Sequence, residues 1–228
     1  MIENKIYRIA RTVDFKIEKD HFPENVWDFF RCKYNENDRL VQVYCEEGQL
    51  NYLNAEKFQV KGSAFLIKLN DEFMLVDESW YTARILGKSS FHGINSFLCQ
   101  IFYTHAVRRQ MVQLHCATIE DQGRGILFLG PSGIGKTTQA ERWAEFRGAS
   151  IINGDVGFVQ RTEREYIAWG TPWHGSSPYC LNASVPVKAL VVLKQAPENR
   201  LRDLTGFEKV SEIAGGVFYP TWLEDGME

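Results

Sequence analysis

The chain has 228 residues, a formal net charge of -3, a pI near 6.0, and 44% apolar and 13% aromatic residues. That length suits one large domain or a small domain plus a medium one, and the apolar content supplies a core and excludes global disorder. The weak acidity excludes a basic footprint for nucleic acid.

No apolar run is long enough to span a bilayer, and the opening MIENKIYRIA, with Glu3 and no apolar h-region, is not a signal peptide. The cysteines (Cys32, Cys45, Cys99, Cys116 and Cys180) are odd in number and form no CxxC or Cys/His cluster. The expectation is a reduced, cytoplasmic protein without a zinc site, its thiols acting as small hydrophobes.

Residues 1–88 read as a β-rich N-terminal region. LVQVYCEEGQLNYL gives two extended stretches around Glu46-Glu47-Gly48, a hairpin, and SAFLIKLNDEFMLVDE repeats the pattern around Asn70-Asp71-Glu72. NVWDFFRCKY reads as a short helix or strand with core aromatics. Over 89–112, Ile94, Phe97, Leu98, Ile101, Phe102 and Ala106 fall on one helical face, which predicts a connecting helix. Arg108 and Arg109 lie at its C-terminal end, where cations suit the helix dipole and from where they could also touch phosphates.

Residues 113–228 form the second domain. QLHCATIE and GILFLG read as strands around Asp121-Gln-Gly-Arg-Gly. TQAERWAEF reads as an amphipathic helix stopped by Gly148, and ASIINGD as a strand ending in an acid. GFVQRTEREYIAWG reads as a hairpin turning near Thr162, VPVKALVVLKQ as a buried strand, and the tail as helical to about Ala214 before Gly215-Gly216 and Pro220 break it.

Gly130-Pro131-Ser132-Gly133-Ile134-Gly135-Lys136-Thr137, followed by Thr138, fits G-x-x-x-x-G-K-[ST] between a strand and a helix. Such a loop closes backbone N–H groups around phosphate oxygens, and Cβ atoms would obstruct that path. Lys136 supplies a point charge to the outer phosphates, the Thr137 hydroxyl suits Mg²⁺, and the helix adds its N-terminal dipole. A phosphate site of this kind needs an acid near the metal. The strand from Ala189 to Leu193 ends in Lys194 and Gln195, so the candidate is Asp155; it can also be read as a turn or capping acid. His115, fifteen residues before Gly130, can orient Asp155, contact the γ-phosphate, or serve the strand structurally. Trp173 and His174 in GTPWHGSSPY stand as acceptor-side candidates, or as parts of a Pro/Gly connector around a packed Trp.

LHCATIEDQGRGILFLGPSGIGKTT, ASIINGDVGF and WGTPWHG together resemble the HPr kinase/phosphorylase superfamily. The likeness is nearest to the HPr-kinase-like proteins of peptide-modification gene clusters, including lasso-peptide tailoring kinases, and covers about residues 111–195. The resemblance implies an α/β fold: a P-loop-containing mixed-sheet domain of phosphoenolpyruvate-carboxykinase/HPr-kinase type. It implies a serine/threonine phosphotransferase that uses ATP and Mg²⁺ on a protein or peptide, with homo-oligomers possible by analogy. His115 matches the family's histidine before the loop, residues 130–138 its P-loop, and Asp155 the second position of its acidic pair. The first position is Gly154 here, so Asp155 must act as base, as metal ligand or as both. The alternative is a nucleotide-binding regulator or adaptor of a peptide-maturation system that performs no phosphotransfer.

Overall fold

The computed structural model describes residues 5–18, 22, 26–34, 39–47, 63–87 and 91–223. The chain divides into two compact units, Met1–His105 and Ala106–Glu228.

The first unit holds a six-stranded sheet: β1 (Ile6–Ile9), β2 (Val13–Glu18), β3 (Leu40–Glu47), β4 (Ser63–Leu69), β5 (Glu72–Asp77) and β6 (Thr82–Gly87), in the order β1-β2-β3-β6-β5-β4. The expected hairpin over 63–78 is present: β4 and β5 pair antiparallel across Asn70, which takes the left-handed turn conformation at φ 54°. The hairpin expected around Glu46-Glu47-Gly48 is only half in view. Both described partners of β3, β2 and β6, run parallel to it, and residues 48–62 lie outside the described residues. NVWDFFRCKY supplies a 3-10 turn, Trp27–Phe30, whose Trp27 ring packs edge-on against Tyr7 and Phe22 with centroids 5.4 and 5.3 Å apart.

Helix α1 (Phe91–Val107) carries the unit boundary near its end. The six apolar positions that the 3.6-residue period placed on one face are all buried. Arg108, just beyond the helix, is exposed.

The second unit is mostly β: β7 (Met111–Asp121), β8 (Arg124–Leu129), β9 (Ser150–Asn153), β10 (Val156–Arg161), β11 (Tyr166–Trp169), β12 (Ser184–Val192) and β13 (Val217–Phe218), with helices α2 (Lys136–Arg147) and α3 (Phe207–Ala214). Strand β7 pairs with β8, β8 with β12, β12 with β11, β11 with β10, and β10 returns to β7, so five strands close a barrel. Only the β8–β12 pairing is parallel. This corrects the α/β expectation. Hairpins connect β7 to β8 and β10 to β11, and the sheet curls until its edges meet in a closed barrel rather than an open α/β sheet.

The interior is filled by Leu114, Cys116, Leu127, Leu129, Ile152, Val159, Ala168 and Val185. The opposite face of β7 and β8 (Ala117, Ile119, Ile126 and Phe128) packs under Ala140 of α2, joined by half-buried Trp143 and Ala144. The period-2 alternation therefore buries both faces of β8. Helix α2 is amphipathic only along this narrow stripe. Strand β12, expected to be buried, is only partly so: Val185 alone is fully covered, Val187 and Val192 are half-buried against the interior and Val191 against the cluster under α2, and Lys188 and Leu190 are exposed.

Candidate phosphate-binding site

Register brings the site together. Strand β8 leaves the barrel at Leu129, paired with Cys116 on β7, so His115 lies beside the start of the glycine-rich loop. On the other edge of β7, β9 and β10 run as one interrupted strand: Thr118 pairs with Asn153, His115 with Val156, and the Cys116 amide donates to the Asp155 carbonyl at 3.0 Å. Asp155 therefore arrives beside β7, not beside the loop strand β8, and still reaches the loop.

The loop, residues 130–135, turns through glycines at positive φ. Gly133 and Gly135 sit at φ 77° and 106°, where side chains are strained. Helix α2 then starts at Lys136 with no side-chain cap and no acid in its first turn, so no carboxylate of the helix itself competes for its leading amides. Lys136 is buried. Its ammonium donates to the carbonyls of Gly130 and Pro131 at 3.1 and 3.2 Å. Burial lowers its pKa, and the Asp155 carboxylate opposes that shift. Ser132, Gly133 and Thr138 are exposed, and Ile134, Gly135 and Thr137 half-buried.

The Thr137 hydroxyl donates to the Gly154 carbonyl at 3.2 Å, which ties the first turn of α2 to the residue preceding Asp155. Asp155 accepts from His115 Nε2 at 2.9 Å through Oδ1. Its other oxygen lies against Gly175, where an added Cβ would stand 2.0 Å from Oδ2. Both side chains of the His115–Asp155 pair remain partly open, at 26% and 33% exposure. The structure thus unites Lys136, Thr137, His115 and Asp155 at one edge of the barrel.

The acceptor-side candidates are placed differently. Trp173 is buried against Phe158, ring centroids 6.3 Å apart, and its carbonyl accepts from Asn153 Nδ2 at 2.8 Å. It packs the barrel end rather than presenting a surface. His174 is half-buried, its Nδ1 held to the Ser177 carbonyl, one residue before Gly175.

Asn153 is the organising residue that sequence reasoning missed. It is fully buried. Its Oδ1 accepts from the amides of Asp155 and Val156 at 3.0 and 2.9 Å, and its Nδ2 donates to the carbonyls of Thr171 and Trp173. The available signal was the Asn-Gly-Asp at a strand end, an Asx-turn sequence. Gly154 was singled out as a missing acid, and the structure supplies the reason: a Cβ there would lie 1.8 Å from Ser177 Oγ and 2.5 Å from Ser177 Cβ.

Among the described residues no three His, Cys, Asp or Glu side chains gather into a metal centre. Thr137 and Asp155 offer one hydroxyl and one carboxylate, oxygen donors of the type that magnesium takes beside phosphates and water.

The family described as SynChlorMet cassette protein ScmC matches residues 91–225, more than half of the chain, and the chain belongs to that family. No curated protein matches it. The resemblance to the HPr kinase/phosphorylase superfamily and to the peptide-cluster proteins near it is corrected by this match and by the closed barrel, and with it the P-loop kinase description of the second domain. The resemblance rested on three short segments, and short phosphate-loop and strand-end patterns recur on unrelated folds.

Proposed function

We propose that this ScmC-family protein binds Mg·ATP at the loop 130–137 and transfers the γ-phosphoryl group to a Ser or Thr hydroxyl of a peptide or protein. The observation that carries this is the tie between loop and acid. Lys136 and Thr137 lie on one side, Asp155 on the other, and the Thr137–Gly154 hydrogen bond fixes their separation. The amides at the start of α2 and the Lys136 ammonium hold the phosphates. Thr137 and Asp155 are the residues that would hold magnesium, which would supply positive charge to offset that of the phosphates.

Asp155 takes the proton from the acceptor hydroxyl as its oxygen bonds to the γ-phosphorus and the bond from that phosphorus to the β–γ bridging oxygen breaks, leaving ADP. His115 donates to Oδ1 and so leaves Oδ2 to face the acceptor. Gly175 keeps room for it, since a side chain there would occupy the space beside Oδ2. The family description names a cassette, so products of neighbouring cassette genes are the acceptors to try first. No helix among the described residues is long and apolar enough to cross a membrane.

The test has two arms. Titration calorimetry with Mg·ATP should show binding that Lys136→Ala weakens at least about tenfold; equal affinities would remove the phosphate site. Intact-mass spectrometry of neighbouring gene products after incubation with the protein and Mg·ATP should show one added phosphoryl group.

A second reading is favoured by Gly154. The site has space for one acid only, which suits a nucleotide-binding regulator of the same cassette. Tight Mg·ATP binding with no phosphorylated product from any neighbour would select it.

A further inference from the structure

The strand end that lacks an acid, Leu193-Lys194-Gln195, borders a cavity of about 500 Å³. The size is that of a small-molecule site. Gly130, Pro131 and Ile134 of the glycine-rich loop form one wall, and the end of β12 and the Gly215-Gly216 turn after α3 form the others. Loop and strand end are locked together. The Leu193 amide donates to the Leu129 carbonyl at 2.8 Å, and Gly130 is wedged so closely that a Cβ would lie 3.1 Å from Ile134 and 3.2 Å from the Leu193 carbonyl. The Lys194–Glu212 ion pair ties the strand end to α3.

Resting on the phosphate site proposed above, we infer that this cavity takes the purine base of the nucleotide. Three observations point there. The cavity borders the loop, so a triphosphate seated on α2 has one of its ends beside it. Its walls are largely apolar (Leu129, Ile134, Val192 and Leu193), which suits the two faces of a flat heterocycle, and Gln195 offers an amide to its polar edge.

The cavity also lies on the opposite edge of β7 from Asp155. The His115 amide donates to Gly216 on the cavity side, and the Cys116 amide to Asp155 on the other. The base and the acceptor hydroxyl would therefore approach the phosphates from two sides. An acceptor peptide in the cavity would be on the wrong side of the strand for Asp155 to take its proton.

Gly215 gives a clean test. It is exposed at the mouth of the cavity, has ordinary right-handed helical angles (φ -65°, ψ -14°), and a Cβ there meets nothing within 4 Å, so Gly215→Phe adds a ring at that mouth without a backbone penalty. The 228-residue chain and its variants would be titrated with Mg·ATP and with Mg·tripolyphosphate, which has the phosphates and no base. Wild type should prefer ATP by at least about tenfold, and Gly215→Phe should erase that preference while leaving tripolyphosphate affinity within about threefold. Should Gly215→Phe not melt cooperatively, Val192→Phe fills the same cavity from β12. Equal affinity of wild type for the two ligands, or an ATP preference untouched by a folded cavity-filling variant, overturns the base site and leaves the phosphate site standing. Failure of wild type to bind either ligand overturns both.

Discussion

A side chain at position 154 would begin 1.8 Å from Ser177 Oγ, a residue that is itself buried and accepts from the Tyr179 amide at 3.3 Å. Gly154→Ala should therefore destabilise the chain by about 1–3 kcal/mol, the usual cost of forcing atoms into a packed site, and Gly154→Asp by more. Denaturant midpoints would measure both, and Ser177→Gly should recover part of the loss in the double variant; additive losses would show that the clash is not the cause. Asp155→Asn keeps the shape and removes both the proton acceptor and the carboxylate assigned to magnesium, so transfer should fall at least about 100-fold while affinity for ATP without magnesium changes by less than about threefold. An unchanged rate would take Asp155 out of the chemistry. Burial pushes the Cys116 thiol up to about 11 and the Cys180 thiol to about 12. Because those folded values lie above the ordinary one, the associated stability is complete below about pH 9 and is lost as the pH climbs toward 11. At pH 8.5 neither thiol should react with iodoacetamide until the chain is unfolded, which peptide mapping would show. That Lys136, Thr137, His115 and Asp155 lie near one another could be expected from the loop pattern and from the spacing of His115 and Asp155 around it. Asn153 was not, because its work is done by four hydrogen bonds to backbone groups, two of them to residues whose proximity only the fold creates.

At the scale of elements, β7 is the member that makes a site out of separate segments. Its first half pairs with β10 and β13 and its second with β8 and β9, so the loop, Asp155 and the Gly215-Gly216 turn all take their positions from one strand. Asn153 serves the crossing from β9 to β10 and ties it to the 171–173 segment. Asn153→Ala leaves two backbone amides and two carbonyls without these partners in a buried place and should cost roughly 3 kcal/mol or more in thermal or denaturant unfolding. It should also loosen Asp155, lowering turnover more than Mg·ATP affinity. A loss confined to stability would restrict Asn153 to the fold. Elements stabilised by local pattern were readable in advance: α1 from its apolar face, β4–β5 from Asn-Asp-Glu, and α2 from the loop and its Gly148 stop. What escaped was non-local. Strand β12 looked buried because its residues are apolar, yet burial depends on what layer covers each face. Nothing in the period-2 pattern of β10 and β7 announces that the two pair and close the barrel.

At the scale of the whole molecule, the two compact units differ in what they need from the rest of the chain. Both hydrophobic clusters of the second unit are drawn from residues beyond Ala106, and its barrel strands have no unpaired long edge at the β7–β10 seam. Such closure removes the exposed edge that makes isolated sheets aggregate. Residues 91–105 of α1 belong to the first unit, where Trp27 donates to Asn95 at 3.3 Å and His105 bonds the Trp80 carbonyl at 2.9 Å. The family match begins at residue 91, so it cuts α1 away from these partners. A fragment of residues 106–228 should then unfold in a single cooperative transition and bind Mg·ATP within about threefold of the full chain. A fragment of residues 91–228 should expose Ile94, Phe97, Leu98, Ile101 and Phe102 and aggregate. Calorimetric melting, light scattering and nucleotide titration on the two fragments would decide it. If the shorter one failed to fold while the longer one folded, α1 would belong functionally to the barrel, and the match beginning at residue 91 would mark the true limit of the nucleotide-binding unit.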